Sequence, residues 1–155
     1  MSANPCKESV IVRLAGPEDE EEWKRLWKLY LVFYKSSLPE EVAELNFKRF
    51  LNPEVKMWSA LAIDTVTNKP IGMVNYFCHF HTWDVKDKIL LNDLYVDENS
   101  RVKGVGRKLI THVYEHADKL EISNVYWHTD FFNHRAQLLY TKIGERTTKV
   151  QYRRI

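Results

Sequence analysis

Two apolar rhythms alternate along the chain and divide it into elements. The short apolar run Val10 to Leu14 (VIVRL) is stopped by Gly16-Pro17 and predicts a first strand. After Pro17 come five acids, EDEEE, whose charge suits the positive end of a helix macrodipole. Trp23, Leu26, Trp27 and Tyr30 then follow at i, i+3, i+4 and i+7, which predicts a helix to about Phe33. Ser36-Ser37-Leu38-Pro39 breaks it. A second helix starts at Pro39-Glu40-Glu41, with Val42, Leu45, Arg49 and Phe50 on one face, and ends at Asn52-Pro53. Trp58 to Ile63 and Ile71 to Phe77 are strand-like runs around the polar connection Thr67 to Pro70, which predicts an antiparallel hairpin.

The second half changes period twice more. Ile89 to Val96 reads as a strand, Asp97 to Ser100 as a turn, and Arg101 to Arg107 as a glycine-punctuated basic loop that opens a helix. Leu109, Ile110, Val113, Ala117 and Leu120 form that helix's apolar stripe. His112 and His116 fall off the stripe, lack the glutamate of an HExxH zinc motif, and are expected on a solvated face. Asn124 to Thr129 is the next strand, parallel to Ile89 to Val96 because a helix joins them, by a right-handed crossover. His134 to Ile143 predicts a helix closed by Gly144 at its C-cap, and Thr148 to Arg154 alternates enough for a final strand. The order β-α-α-β-β-β-α-β-α-β predicts an α/β fold: a mixed central sheet with helices on both faces.

Length adds one domain over residues 1–155, with a loose N-terminal segment at about residues 1–8. The 23 basic and 21 acidic side chains leave a net charge of +2, too balanced for a nucleic-acid partner. Their placement says more: acids gather at Glu18 to Glu22 and Glu40 to Glu44, bases at Arg101 to Lys108 and Arg153-Arg154. That fits an anionic cofactor on one side and a cationic substrate on the other. No apolar run reaches membrane-spanning length and the first residues match no signal or transit peptide, so no membrane partner is expected. The expected location is cytoplasmic, with the nucleus second. Cys6 and Cys78 allow a single pairing and are expected to be reduced, neither of them catalytic.

A strand, a glycine loop and a helix in that order place unpartnered N–H groups and the positive pole of a dipole at one spot. Gly104 and Gly106 let an anion approach the main chain, and Arg101, Lys103, Arg107 and Lys108 surround it with positive charge. The ligand expected is a phosphate or pyrophosphate. Neither the G-x-x-x-x-G-K-[ST] loop nor the dinucleotide pattern fits, since the residue three after Gly106 is Leu109. The pattern R-x-x-G-x-G in RVKGVG, directly after a strand ending in LYV, resembles the acetyl-CoA motif of the GCN5-related N-acetyltransferases. A second run, Asn133 to Gly144, resembles that family's other signature, N-x-x-A-x-x-L-Y-x-x-x-G. The likeness covers nearly the whole chain from the first strand. It is closest to the small fungal acetyltransferases that act on histones, polyamines or D-amino acids, through DEEEWKRLWKLY, LNDLYVDENSRVKGVGRKLI and NHRAQLLYTK. It extends more distantly to the spermidine/spermine acetyltransferases.

Such chemistry asks for deprotonation of an ammonium, a donor for the carbonyl oxygen, and protonation of a leaving thiolate. The resemblance implies acetyl-CoA as co-substrate, with no metal. It places the pyrophosphate on Arg101, Val102, Lys103, Gly104, Val105, Gly106 and Arg107, and the pantetheine arm on the backbone of Leu94, Tyr95 and Val96. Asn133 and Arg135 would contact the coenzyme, with N-capping as the alternative for Asn133. Tyr140 would be the general acid toward sulfur, against its plain reading as a packed helix tyrosine. Where polyamine acetyltransferases carry a glutamate base, this chain has Asn92, which takes no proton but can hold a water; Asp93 matches their aspartate. Deprotonation then falls to Asp93 or another carboxylate through water, or the amine arrives neutral. Trp83 and Asp84, in the loop His79 to Asp84, are expected to contact a cationic acceptor, and Trp27 either to line its pocket or to pack in the core. His79 and His81 lack a third ligand for metal. The expected activity is acetyl transfer to a primary amine, D-amino acids first, then polyamines, then histone lysines. The contrasting expectation is a non-catalytic acyl-CoA-binding module. The fungal likeness implies a homodimer or higher homo-oligomer, with histone tails as a further partner.

Overall fold

The computed structural model describes residues 8–155, so most of the expected loose segment, and Cys6, lie outside the described residues. Five strands form one sheet in the order β1-β2-β3-β4-β5: β1 (Val10–Leu14), β2 (Met57–Asp64), β3 (Lys69–His79), β4 (Lys88–Val96) and β5 (Val125–Tyr126). The first four pair antiparallel and β5 runs parallel to β4. Helices α1 (Glu20–Phe33), α2 (Glu40–Leu51), α3 (Val105–Lys119) and α4 (His134–Ile143) follow the expected order.

The sheet divides the interior into two apolar layers. On one face α3 presses Val105, Leu109, Ile110, Val113 and Ala117 onto Ala60, Ala62, Val74, Tyr76, Ile89 and Leu91. On the other, α1 and α2 bring Trp23, Leu26, Trp27, Ala43, Phe47 and Phe50 onto Leu61, Ile63, Met73 and Tyr95. Covered on both sides, β2 and β3 are nearly continuous apolar runs, interrupted by buried Ser59 and Asn75. On α2 the buried stripe is Ala43, Phe47 and Phe50, not the expected Val42, Leu45 and Arg49, and Leu45 is exposed. The two phenylalanine rings decide the rotation, since both close on Trp23, with centroids 5.7 and 5.2 Å away.

One residue sets which layer each half of β4 serves. Tyr76 stands opposite Leu91 and Asn75 opposite Asp93, so Asn92 is an extra residue, a β-bulge. Side chains along a strand alternate with period two, and the bulge shifts that phase. Ile89 and Leu91 therefore pack under α3, whereas Tyr95 joins the α1–α2 layer and Asp93 turns toward it too.

Two further expectations are corrected. Residues 148–154 form no strand; Val150 and Tyr152 lie exposed, because β5 pairs with β4 at two positions only and offers little ladder to extend. His112 and His116 are not on a solvated face. They are half-buried beside Tyr76, whose hydroxyl stands 2.6 Å from His116 Nδ1 and 3.5 Å from His112 Nε2, and burial pushes both imidazoles toward their neutral forms. Cys78 is a free, half-buried thiol pushed up by burial, away from its nucleophilic form.

Candidate active site

Between the end of β4 and the first turn of α3 the backbone is arranged for an anion. Gly104 is the N-cap residue and adopts the left-handed conformation (φ 77°, ψ 11°), which a side chain would resist. No side chain caps the helix and its first turn holds no acid, so the leading N–H groups of α3 remain available to a ligand. Arg101, Lys103, Gly104 and Arg107 are exposed around them, and Val102, Val105 and Gly106 anchor the loop inward. Lys108 does not belong to this ring of charge. It turns to β1, 3.3 Å from the Val10 carbonyl and from Glu8. The turn before the loop is pinned from the other layer, where Arg25 reaches Asp97 (3.3 Å) and the Pro70 carbonyl (2.6 Å).

The second part of the site starts from the bulge. Asp93 is buried without a basic partner among the described residues, so three donors hold its carboxylate. Tyr30 donates to Oδ1 at 2.8 Å, and the amides of Asn75 and Asn92 to Oδ2 at 3.1 and 3.2 Å. Trp23 Nε1 in turn donates to Asn75 Oδ1 at 3.1 Å, which fixes that amide's orientation. Burial, then the charge and hydrogen bond of Asp93, push Tyr30 well above the ordinary tyrosine range. Tyr34, one turn on, lies 4.9 Å from Tyr30 between ring centroids. It is raised by burial and by Asp130 and Asp93, so both charges reach this end of α1.

Beyond Leu90, β4 and β5 have no further paired residues, so the backbone of Leu91 to Val96 faces the β5 side without a strand partner among the described residues. Tyr140 stands on α4 with its ring 5.5 Å from Trp127, just after β5. Burial, and secondarily Tyr34, raise its pKa, so at neutral pH it is a hydroxyl donor. Asn133 caps α4 by accepting from the Ala136 N–H at 3.2 Å, and Arg135 is exposed on the first turn.

Gly144 is the C-cap residue of α4, as expected, with extended backbone (φ −149°, ψ 177°). Its small size serves a different end. A Cβ there would lie 2.8 Å from Trp127 Cη2 and 3.0 Å from Cζ2. Gly144→Ala is therefore expected to push Trp127 against Tyr140, costing about 1–3 kcal/mol of stability and lowering kcat more than it raises KM. Thermal unfolding and steady-state kinetics of the variant check this; wild-type values in both would show that the indole moves freely.

The aromatic residues expected at an acceptor pocket fall elsewhere. Trp27 is 8% exposed and stacked between Trp23 and Tyr30, at 5.6 and 5.3 Å, as part of the core. Trp83 and Asp84 are exposed in the loop before β4, at the opposite end of that strand from the α3 loop, where Lys149 lies over the Trp83 ring. The structure does not bring them to Asp93 and Tyr140. His79 is hydrogen-bonded to Tyr126 (2.6 Å), and no group of three metal-ligating side chains stands together among the described residues. Tyr30, Tyr34, Asn75 and Asp130 were not singled out by the sequence. The available signals were the i, i+4 tyrosines at the end of the first helix and one asparagine inside the apolar run Ile71 to Phe77.

An uncapped helix start ringed by cations, next to a strand edge left open beside a buried carboxylate and a tyrosine donor, defines an N-acetyltransferase. The chain belongs to the acetyltransferase (GNAT) family, whose profile matches residues 23–144. It is 52% identical over 145 residues to the D-amino-acid N-acetyltransferase HPA3 of Saccharomyces cerevisiae, covering 94% of this chain and 90% of that protein. It is 28% identical over 134 residues to the N-acetyltransferase YhfO of Bacillus subtilis, covering 86% and 87%. Among solved structures, the aminoglycoside acetyltransferase AAC(6')-Iy in complex with a bisubstrate CoA analog superposes with a TM-score of 0.81 at 19% identity, covering 94% of this chain and 97% of that one. A probable acetyltransferase gives the same score at 22% identity, covering 94% and 96%. The enzyme is thus a GNAT N-acetyltransferase acting on an amine.

Proposed function

We propose that the enzyme acetylates the amino group of a small α-amino acid, with the D configuration preferred, from acetyl-CoA. The observation that carries this is the Asp93–Tyr30 pair, a buried carboxylate and hydroxyl beside the open edge of β4, where an ammonium is the complementary guest. The 52% identical relative that acts on D-amino acids supports the same acceptor class.

The residues around the α3 start fit a pyrophosphate, through free N–H groups, the Gly104 turn, Arg101, Lys103 and Arg107. The coenzyme held there supplies an acetyl group activated as a thioester. The backbone of Leu94 to Val96, paired with β3 but open on its β5 side, would serve its arm, and an N–H of that edge would receive the carbonyl oxygen as it gains charge. Asp93 accepts the proton of the incoming ammonium through a water that exposed Asn92 holds beside it. Tyr140 returns a proton to the leaving sulfur. Asn133 acts by capping α4 and so placing Tyr140.

The test is release of free CoA across a panel of D- and L-amino acids, spermidine and a histone-tail peptide. The highest kcat/KM is expected for a D-amino acid. A higher value for spermidine or the peptide would overturn the acceptor and keep the transfer chemistry; coenzyme binding without turnover of any amine would indicate a binding module.

A further inference from the structure

An α-amino acid brings a carboxylate as well as an ammonium, and the groups described so far answer only the second. Asp93 and Asp130 repel an anion, and the cations of the α3 loop serve the coenzyme. Resting on the acceptor proposed above, we infer that Arg146 binds the acceptor's carboxylate and with it sets the stereochemical preference.

Seven of the cations outside the α3 loop are occupied. Arg13, Lys24, Arg25, Lys28, Lys56, Lys86 and Lys108 are each in ion pairs. Arg146 is in none among the described residues. Its guanidinium carbon lies over the Phe131 ring at 5.9 Å, and Phe131 adjoins Asp130, whose charge reaches Tyr30 and Tyr34. The segment beneath it is fixed. Gln137 Nε2 donates to the carbonyls of Asp130 (3.2 Å) and Phe131 (3.0 Å), and Asn133 N to the Asp130 carbonyl (2.9 Å). Above it, Arg146 comes two residues after Gly144, whose N–H bonds the Tyr140 carbonyl at 2.8 Å. The arginine is thus tied through both ends of α4 to the residue proposed as acid.

A guanidinium resting on an aromatic face keeps its N–H groups free in its own plane. That leaves the fork that a carboxylate accepts in bidentate fashion. With the ammonium at Asp93 and Tyr30 and the carboxylate at Arg146, two substituents of the acceptor Cα are placed. The third, its side chain, is left to the exposed aromatics Phe33, Phe131 and Phe132. Two fixed points and an apolar rim distinguish mirror images, which an ammonium site alone does not.

The test compares D-phenylalanine, L-phenylalanine and phenethylamine as acceptors for the wild type, Arg146→Gln and Arg146→Lys. Arg146→Gln is expected to raise KM for D-phenylalanine by about 10- to 100-fold, the loss of a charge-assisted pair. KM for phenethylamine should hold, the D over L ratio should fall, and Arg146→Lys should recover part of the loss. Equal changes for all three acceptors, or no change for D-phenylalanine, would overturn the role of Arg146 alone. A wild type that prefers phenethylamine to D-phenylalanine would overturn the acceptor class, and Arg146 with it. Residue 146 is exposed, so matching circular dichroism and melting curves are expected for all three proteins.

Discussion

Replacing Tyr140 by phenylalanine is expected to lower kcat by about 10²- to 10⁴-fold, the range for losing a positioned acid, while acetyl-CoA binds as before. The substitution keeps the ring, and so keeps the contact with Trp127 that locates it. Only the proton donor is lost. Burial raises the Tyr140 pKa above the ordinary value of 10, so the donor form is complete at neutral pH. No fall in kcat from this group is expected across the neutral range in the wild type; the limb it contributes lies on the alkaline side. Steady-state CoA release and a direct titration with acetyl-CoA separate the two effects. A variant within threefold of wild-type kcat would assign protonation of the sulfur to solvent or to another group.

Trp23→Ala should give the largest loss of stability, about 3–5 kcal/mol for the cavity and about 1–3 more for the acceptor it strands. The indole has no exposed surface, stacks on Trp27 at 5.6 Å, and meets Phe47 and Phe50. Its N–H also starts the chain that runs through Asn75 to Asp93. Trp23→Phe fills most of the volume but leaves Asn75 Oδ1 without its donor, so it should recover stability more fully than kcat. Urea unfolding of both variants, with kinetics on the second, tests the coupling. Full activity in Trp23→Phe would show that Asp93 needs no support from that side.

These two residues also show what was readable before any coordinates. Tyr140 sits in a motif whose spacing carries meaning without the fold, and Trp23 in a 3.6-residue stripe, so each was legible from local pattern. The strand–loop–helix order around Gly104 was legible for the same reason, because backbone geometry at a helix start follows from neighbours in sequence. The buried stripe of α2 was not, since Val42 and Leu45 are as apolar as Ala43. The choice depends on rings arriving from α1. The partners of Asp93 were hidden likewise: Tyr30, Asn75 and Asp93 come from three elements, and only the register of β3 on β4 brings them together. The final strand failed for want of a neighbour, because alternation gives a strand its faces and not its partner.

The bulge at Asn92 is a matter of pairing and not of chemistry. Leu91 stands opposite Tyr76 and Asp93 opposite Asn75, so residue 92 is surplus to the ladder, and its neighbours keep their faces whatever stands between them. The side chain there is held by little beyond one amide bond to Asp93. Position 92 is a socket: its reactive group is open to exchange without refolding. An amide can thus stand where the likeness to the polyamine enzymes places a carboxylate, and a new acceptor preference can arise there by a single substitution.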